Sequence, residues 1–128
     1  NERQVFNYGH SFGHAIESLT SYNIPHGIAV SFGMDMSNFI SMKKGYISFE
    51  IRRNSRELFE KIWDGYSNQV KNLNIEKYLN ALSKDKKNKG ALLGLILNKG
   101  YGKVFKDFTK NDAVFREWIE EYFANELN

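Results

Sequence analysis

Apolar residues recur at helical spacing along most of this chain. From Arg3 to Leu19, Val5, Phe6, Phe12, Ile16 and Leu19 supply the apolar positions of a predicted helix. Gly9 and Gly13 fall inside it, each costing roughly 1 kcal/mol of helix propensity relative to Ala. Two such residues imply a packing or functional reason. Thr20 to Ile24 is a connection, closed by the only proline, Pro25. A second helix is expected from about His26 to Lys44, with Ala29, Val30, Phe32, Gly33, Met36 and Ile40 small or apolar along it. It is apolar over much of its circumference, so it should be central and buried. Gly45 supplies its stop.

Ser48 is placed to cap a third helix with Ile51, Leu58, Phe59 and Ile62 on its inner face, ended by Gly65. Asn74 is placed to cap a shorter one over Ile75 to Leu82. Ser83 to Gly90, taken alone, is a solvated charged turn. Ala91 to Leu97 has strand length, Gly100 and Gly102 mark a turn, and Lys103 to Phe108 would pair back as a hairpin. Asn111 would cap a last helix carrying Val114, Phe115, Trp118, Ile119 and Tyr122 at helical spacing. The predicted architecture is mainly α with one small β-hairpin, a single domain over residues 1–128.

Composition narrows the classes. Hydrophobic residues make up 41% of the 128, enough for a core. No apolar run approaches the roughly 18–20 residues of a membrane span. With no cysteine, disulfides and thiolate metal sites are excluded, and a reducing cytoplasm is the default location. A net charge of +3 lacks the dense basic stripe that nucleic-acid binding needs. A small phosphorylated substrate would account for a few Lys and Arg equally well. The chain does not begin with Met and shows no signal peptide, so it reads as a piece of a larger protein.

All three histidines lie between positions 10 and 26. Arg3, Asn7, His10 and His14 are spaced by four, three and four residues, which would stack them on one helical face. Arg offers a planar, permanently charged fork for carboxylate or phosphate. Asn offers a donor and an acceptor. A neutral imidazole binds a divalent metal or moves protons near pH 7. Catalytic zinc-type sites take three protein ligands. Three His could fill such a site, or two could join a carboxylate, with Glu17 and Asp35 as internal candidates. The six-residue connection can return His26 towards the end of the first helix, though the sequence does not fix it beside His10.

At this point the residues match a known family. Arg3-Gln-Val-Phe-Asn7-Tyr-Gly9-His10-Ser-Phe-Gly13-His14-Ala-Ile-Glu17 resembles the dehydroquinate synthase signature R-x-x-L-N-x-G-H-T-F-G-H-A-I-E. His26-Gly27-Ile28-Ala29-Val30 with Gly33-Met34 resembles its H-G-E-A-V block and following G-M. Asp85-Lys86-Lys87-Asn88 and the later Lys99-Gly100-Tyr101-Gly102-Lys103 resemble its late D-K-K segment and glycine turn.

The resemblance implies that His10 and His26 are metal ligands for zinc or cobalt, with the third ligand a Glu of a preceding domain. It implies that His14 contacts substrate near its phosphate and assists proton transfer. Arg3 and Asn7 would bind the substrate's carboxylate and polar groups, and Lys86 or Lys87 its phosphate region. NAD would sit mainly on an N-terminal nucleotide-binding domain; no Gly-x-Gly-x-x-Gly follows a strand here, so this chain alone should be inactive. The implied reaction is oxidation of a hydroxyl by NAD, elimination of phosphate, re-reduction and aldol closure to a carbocycle, in a homodimeric enzyme acting on a sugar phosphate such as 3-deoxy-arabino-heptulosonate 7-phosphate.

One departure bears on the substrate: Ile28 stands where the family has Glu. Relatives include 2-deoxy-scyllo-inosose synthase and sedoheptulose 7-phosphate cyclases. The rival classes are a metal-dependent alcohol dehydrogenase of the glycerol dehydrogenase type and a non-catalytic helical module.

Overall fold

The computed structural model describes residues 7–100 and 103–127. Among them the apolar pattern becomes α1 (His10–Leu19), α2 (His26–Lys43), α3 (Phe49–Glu60), α4 (Ser67–Lys71), α5 (Ile75–Ser83), β1 (Leu92–Asn98), β2 (Val104–Lys110) and α6 (Ala113–Asn125). The fold is mainly helical with one antiparallel hairpin, as the sequence predicts. In the hairpin Leu95 faces Asp107 and Asn98 faces Val104.

α2 is the central element, and 12 of its 18 residues are buried. α1, α3, β1 and α6 all pack on it. Two of its buried serines are engaged by neighbouring elements: Ser31 Oγ accepts from Trp63 Nε1 at 2.8 Å, and Ser41 Oγ accepts from the Asn98 N–H at 2.9 Å. The second of these ties β1 to the middle of the domain. Gly45, at φ +82, ends α2 as expected.

α1 is shorter than predicted. It starts at His10 because Gly9 adopts a left-handed conformation, φ +79, that cannot continue a right-handed helix. Asn7 to Gly9 therefore form a turn, and Asn7 does not share a helical face with His10 and His14. Arg3 lies outside the described residues. The glycines have a packing reason: a Cβ on Gly33 of α2 would stand 1.9 Å from the Gly9 carbonyl oxygen, and one on Gly13 would meet the Ala29 carbonyl oxygen at 3.1 Å. The two helices touch backbone to backbone.

α3 corrects another expectation. Ser48 does cap it, accepting from the Ile51 N–H at 3.1 Å. Leu58, however, is 66% exposed, and Ile62, beyond the helix end, 49%. The residue that α3 buries is Arg52. Its Nη2 and Nε donate to the two carboxylate oxygens of fully buried Asp35, at 2.7 and 3.0 Å, and its Nη1 to Glu126 after α6. Tyr122 OH adds a third bond to Asp35 at 2.7 Å. A buried carboxylate must be paired, and that requirement rotates α3 away from its apolar pattern. It also commits Asp35 to the core, removing it as a metal-ligand candidate.

Asn74 caps α5 as expected, accepting from the Lys77 N–H at 2.9 Å. Asp112 rather than Asn111 caps α6, accepting from the Phe115 N–H at 3.0 Å. Phe115, Ile119 and Tyr122 are buried there, while Val114 is exposed.

Gly33→Ala forces the α1–α2 contact apart and is expected to cost about 3 kcal/mol or more, the upper range for overpacking. Gly27→Ala meets nothing within 4 Å and should instead stabilise by up to about 1 kcal/mol. Urea denaturation of the two variants checks both signs.

Candidate metal and substrate site

α1 presents His10 and His14 one turn apart, and His26 opens α2 directly after Pro25. The return between them is tight. Ser21 and Tyr22 both take positive φ, 52° and 60°, and the Tyr22 N–H bonds back to the Glu17 carbonyl at 2.9 Å. With the helices in backbone contact, this turn brings all three imidazoles together. Ring centroids lie 5.5 Å apart for His10–His14, 5.7 Å for His10–His26 and 6.1 Å for His14–His26. The position of His26 beside His10, left open by the sequence, is thus resolved.

Glu17 joins the cluster from below. It is buried, and its Oε1 lies 2.9 Å from His26 Nδ1. One ligating atom from each of His14, Glu17 and His26 falls within a mutual 4.8 Å. Burial lowers the pKa of His14 below the usual imidazole value; Glu17 opposes this, while His10, Lys87 and His26 add to it. His14 is therefore held neutral near pH 7, with a lone pair for a metal or a proton.

The Asp85–Asn88 segment, a solvated turn when read alone, folds back over α1. Asp85 Oδ1 accepts from the Lys87 N–H at 2.8 Å. Asn88 fastens both sides of the loop: its Nδ2 donates to the Leu82 carbonyl at 2.9 Å and its Oδ1 accepts from the Gly94 N–H at 3.0 Å. Gly94 permits this approach, since a Cβ there would sit 2.2 Å from the Lys87 carbonyl oxygen. Lys87 Nζ consequently reaches to 3.5 Å from Ser11 Oγ, in the first turn of α1. Lys86 lines the same cleft but makes no such contact to α1 among the bonds observed.

The cleft between α1, α5 and this loop has a volume of about 800 Å³. His14, Glu17 and His26 form one wall, and Lys77, Lys84, Lys86 and Lys87 another. Sequence reading missed Lys77, in α5, and Lys84, just past its end; their seven-residue spacing carries no signal until α5 packs beside α1. Asn7 lies in the turn before α1, half-buried, and does not line this cleft. Ile28 packs half-buried against the apolar core.

Residues 1–88 match the family model for the 3-dehydroquinate synthase C-terminal region, through the last residue of the Asp85–Asn88 loop. The chain belongs to the 3-dehydroquinate synthase family. A 3-dehydroquinate synthase of Rippkaea orientalis is 35% identical over 128 residues, covering 98% of this chain and 33% of that protein. One from Prochlorococcus marinus strain MIT 9215 is 38% identical over 118 residues, covering 91% and 32%. The chain thus spans about a third of the length of these synthases. Among solved structures, 2-deoxy-scyllo-inosose synthase in complex with carbaglucose-6-phosphate, NAD+ and Co2+ superposes with a TM-score of 0.75 at 26% identity, over 91% of this chain and 33% of that one. The helical C-terminal fold is therefore shared between synthases whose names specify different products. No helix among the described residues is long and apolar enough to cross a membrane.

Asn88→Ala leaves the buried Gly94 N–H and Leu82 carbonyl without their side-chain partners, at an expected cost of about 1–3 kcal/mol. Hydrogen exchange at the Gly94 amide should accelerate in that variant while the amides of α2 stay protected.

Proposed function

We propose that this chain is the metal- and substrate-binding part of a two-domain sugar-phosphate cyclase, completed by a nucleotide-binding domain that holds NAD. The observation that carries this is the convergence of His14 and His26 with Lys87, a residue 76 positions away from its neighbour Ser11, on one cleft, with the His10 ring beside both imidazoles but outside the cleft lining. The donor set fits a divalent metal: imidazole nitrogen beside carboxylate oxygen suits zinc or cobalt. By the family resemblance His10 and His26 would hold it, together with a carboxylate from the second domain. The His14–Glu17–His26 grouping is the alternative donor set within the chain. When bound, the metal supplies Lewis acidity towards the substrate's oxygens.

The chain's own residues would do the rest. Lys87 offers a mobile ammonium, a point charge matched to phosphate. Lys77, Lys84 and Lys86 make the same side of the cleft attractive to a dianion. His14, held neutral, is suited to accept a proton from the bound sugar. Arg3 offers its fork to a substrate carboxylate, with Asn7 as a polar partner. Such a distribution of charge suits 3-deoxy-arabino-heptulosonate 7-phosphate, which carries a carboxylate at one end and a phosphate at the other. In this reading the working form is a homodimer in the cytoplasm, with 3-dehydroquinate as its product.

A second reading rests on the 0.75 TM-score to 2-deoxy-scyllo-inosose synthase and on Ile28. It keeps the cyclase chemistry and replaces the substrate by a sugar phosphate without a carboxylate. An alcohol dehydrogenase of the glycerol dehydrogenase type is disfavoured because a small neutral alcohol gives the lysine wall nothing to bind. A non-catalytic module is disfavoured by the lone-pair-bearing cluster at the mouth of a cleft.

A chimera tests these readings: this chain replaces the matching third of the Rippkaea orientalis synthase. Phosphate release and product are then measured with the heptulosonate phosphate, glucose 6-phosphate and sedoheptulose 7-phosphate. Turnover of the heptulosonate to 3-dehydroquinate is expected. Arg3→Ala should lower its kcat/KM by roughly 1.5–3 kcal/mol, the scale of a charged hydrogen bond, with little effect on glucose 6-phosphate. An intact rate on the carboxylate substrate would favour the neutral-sugar reading, and glycerol oxidation without phosphate release the dehydrogenase.

Metal stoichiometry separates the ligand sets. His10→Ala and His26→Ala should abolish one-to-one metal in the chimera, while His14→Ala retains it. The 128-residue chain by itself should bind metal weakly, lacking the third carboxylate. Loss in the His14 variant with retention in the His10 variant would assign the metal to His14, Glu17 and His26.

A further inference from the structure

Glu17 is buried, its side chain 9% exposed, at the back of a cleft whose imidazoles reach solvent; the His26 side chain is 58% exposed. A carboxylate in that position loses hydration and must recover it from a partner. Its Oε1 is 2.9 Å from His26 Nδ1, its one side-chain hydrogen bond among the described residues, and the His14 ring lies within its electrostatic reach. The carboxylate comes from the last turn of α1, and the ring from the first residue of α2. The single contact therefore spans the Thr20–Pro25 return at its closing point.

We propose that Glu17 is a positioning residue that fixes the tautomer and the angle of the His26 ring. This rests on the metal-binding reading given above. In this bond the carboxylate oxygen is the acceptor, which places the proton on His26 Nδ1. The lone pair is then confined to Nε2, the nitrogen on the opposite side of the ring. His26 has no helical neighbour before it to hold its ring, because it follows Pro25 at the helix start, and its exposure leaves little packing to do so. The hydrogen bond to Glu17 supplies the missing restraint. The same geometry commits Oε1 of this carboxylate to the Nδ1 proton rather than to a metal.

The test uses the chimera, with Co2+ as the probe, and the variants Glu17→Gln and Glu17→Ala. The tautomer of His26 is read first in the metal-free protein, from the ring nitrogen shifts of 15N-histidine-labelled samples. Wild type should show the Nδ1–H form, and Glu17→Ala should shift towards Nε2–H, the form favoured by free imidazole side chains. Co2+ is then titrated and followed by its visible absorption. One-to-one binding should persist in both variants, with affinity lower by about 10- to 100-fold in Glu17→Ala and by less in Glu17→Gln, whose amide oxygen still accepts. If both variants lose one-to-one Co2+ as His26→Ala does, Glu17 is a ligand and the proposal is overturned. If tautomer and affinity match wild type while only the melting temperature falls, Glu17 is merely structural and the proposal is likewise overturned. A wild-type chimera that binds no Co2+ would defeat the metal-binding reading instead, and the tautomer measurement alone would still decide whether Glu17 sets the ring.

Discussion

The backbone contact between α1 and α2 is the constraint on which the rest depends. Gly33 lies against the Gly9 carbonyl, and Gly13 against the Ala29 carbonyl, with no side chain between. That closeness sets the distance between a histidine on one helix and a histidine at the start of the other. A single methyl group in the seam would widen it and spread the three rings. The glycines therefore set the spacing of the imidazoles through the backbone alone, and the helix propensity they give up is offset by that placement.

The opposite end of the domain is held by charge. Asp35 in the middle of α2 takes Arg52 from α3 and Tyr122 from α6, and Arg52 reaches on to Glu126. Its partners come from both flanking elements, so the cluster fixes α3 and α6 around α2 at the cost of desolvating several ions. Such a cluster is a weak source of net stability but costly to break on one side. It leaves the start of α2, where His26 sits, free of any competing ion pair with Asp35.

Most of the scaffold was legible in the sequence because it follows local rules. Ser48 and Asn74 cap helices by short-range hydrogen bonding, Gly45 stops one by its backbone freedom, and the apolar run after Gly90 could only be a buried strand or a core segment. The histidine cluster was legible in part. The i, i+4 pair is visible on any helical projection, but the return of His26 depends on the left-handed Ser21–Tyr22 turn, which no glycine announces. The passage through Gly9 was misjudged because a periodic pattern runs across it, and only its positive φ shows that no helix continues through that residue. Arg52 was missed since apolar periodicity assigns a charged residue to the outside, and Asp35, its reason for being inside, lies 17 positions away. The lysine wall was invisible for the same cause: Lys77 and Lys84 matter only because α5 packs beside α1.

The site is built from two stretches of chain that differ greatly in how far apart their parts lie. The imidazole side draws on residues 10 to 26, which meet as soon as one helical hairpin closes. The Lys87–Ser11 contact instead spans 76 residues, and the ordering of everything between them must come first or together with it. Chain closure grows costlier with the length enclosed, and contacts of high sequence separation slow the search for the native state. During folding, the histidine side can therefore exist as a local unit before the cationic side arrives. A metal held by the early unit would stabilise a nascent hairpin, whereas an anion, needing the late loop, would bind only to the finished domain.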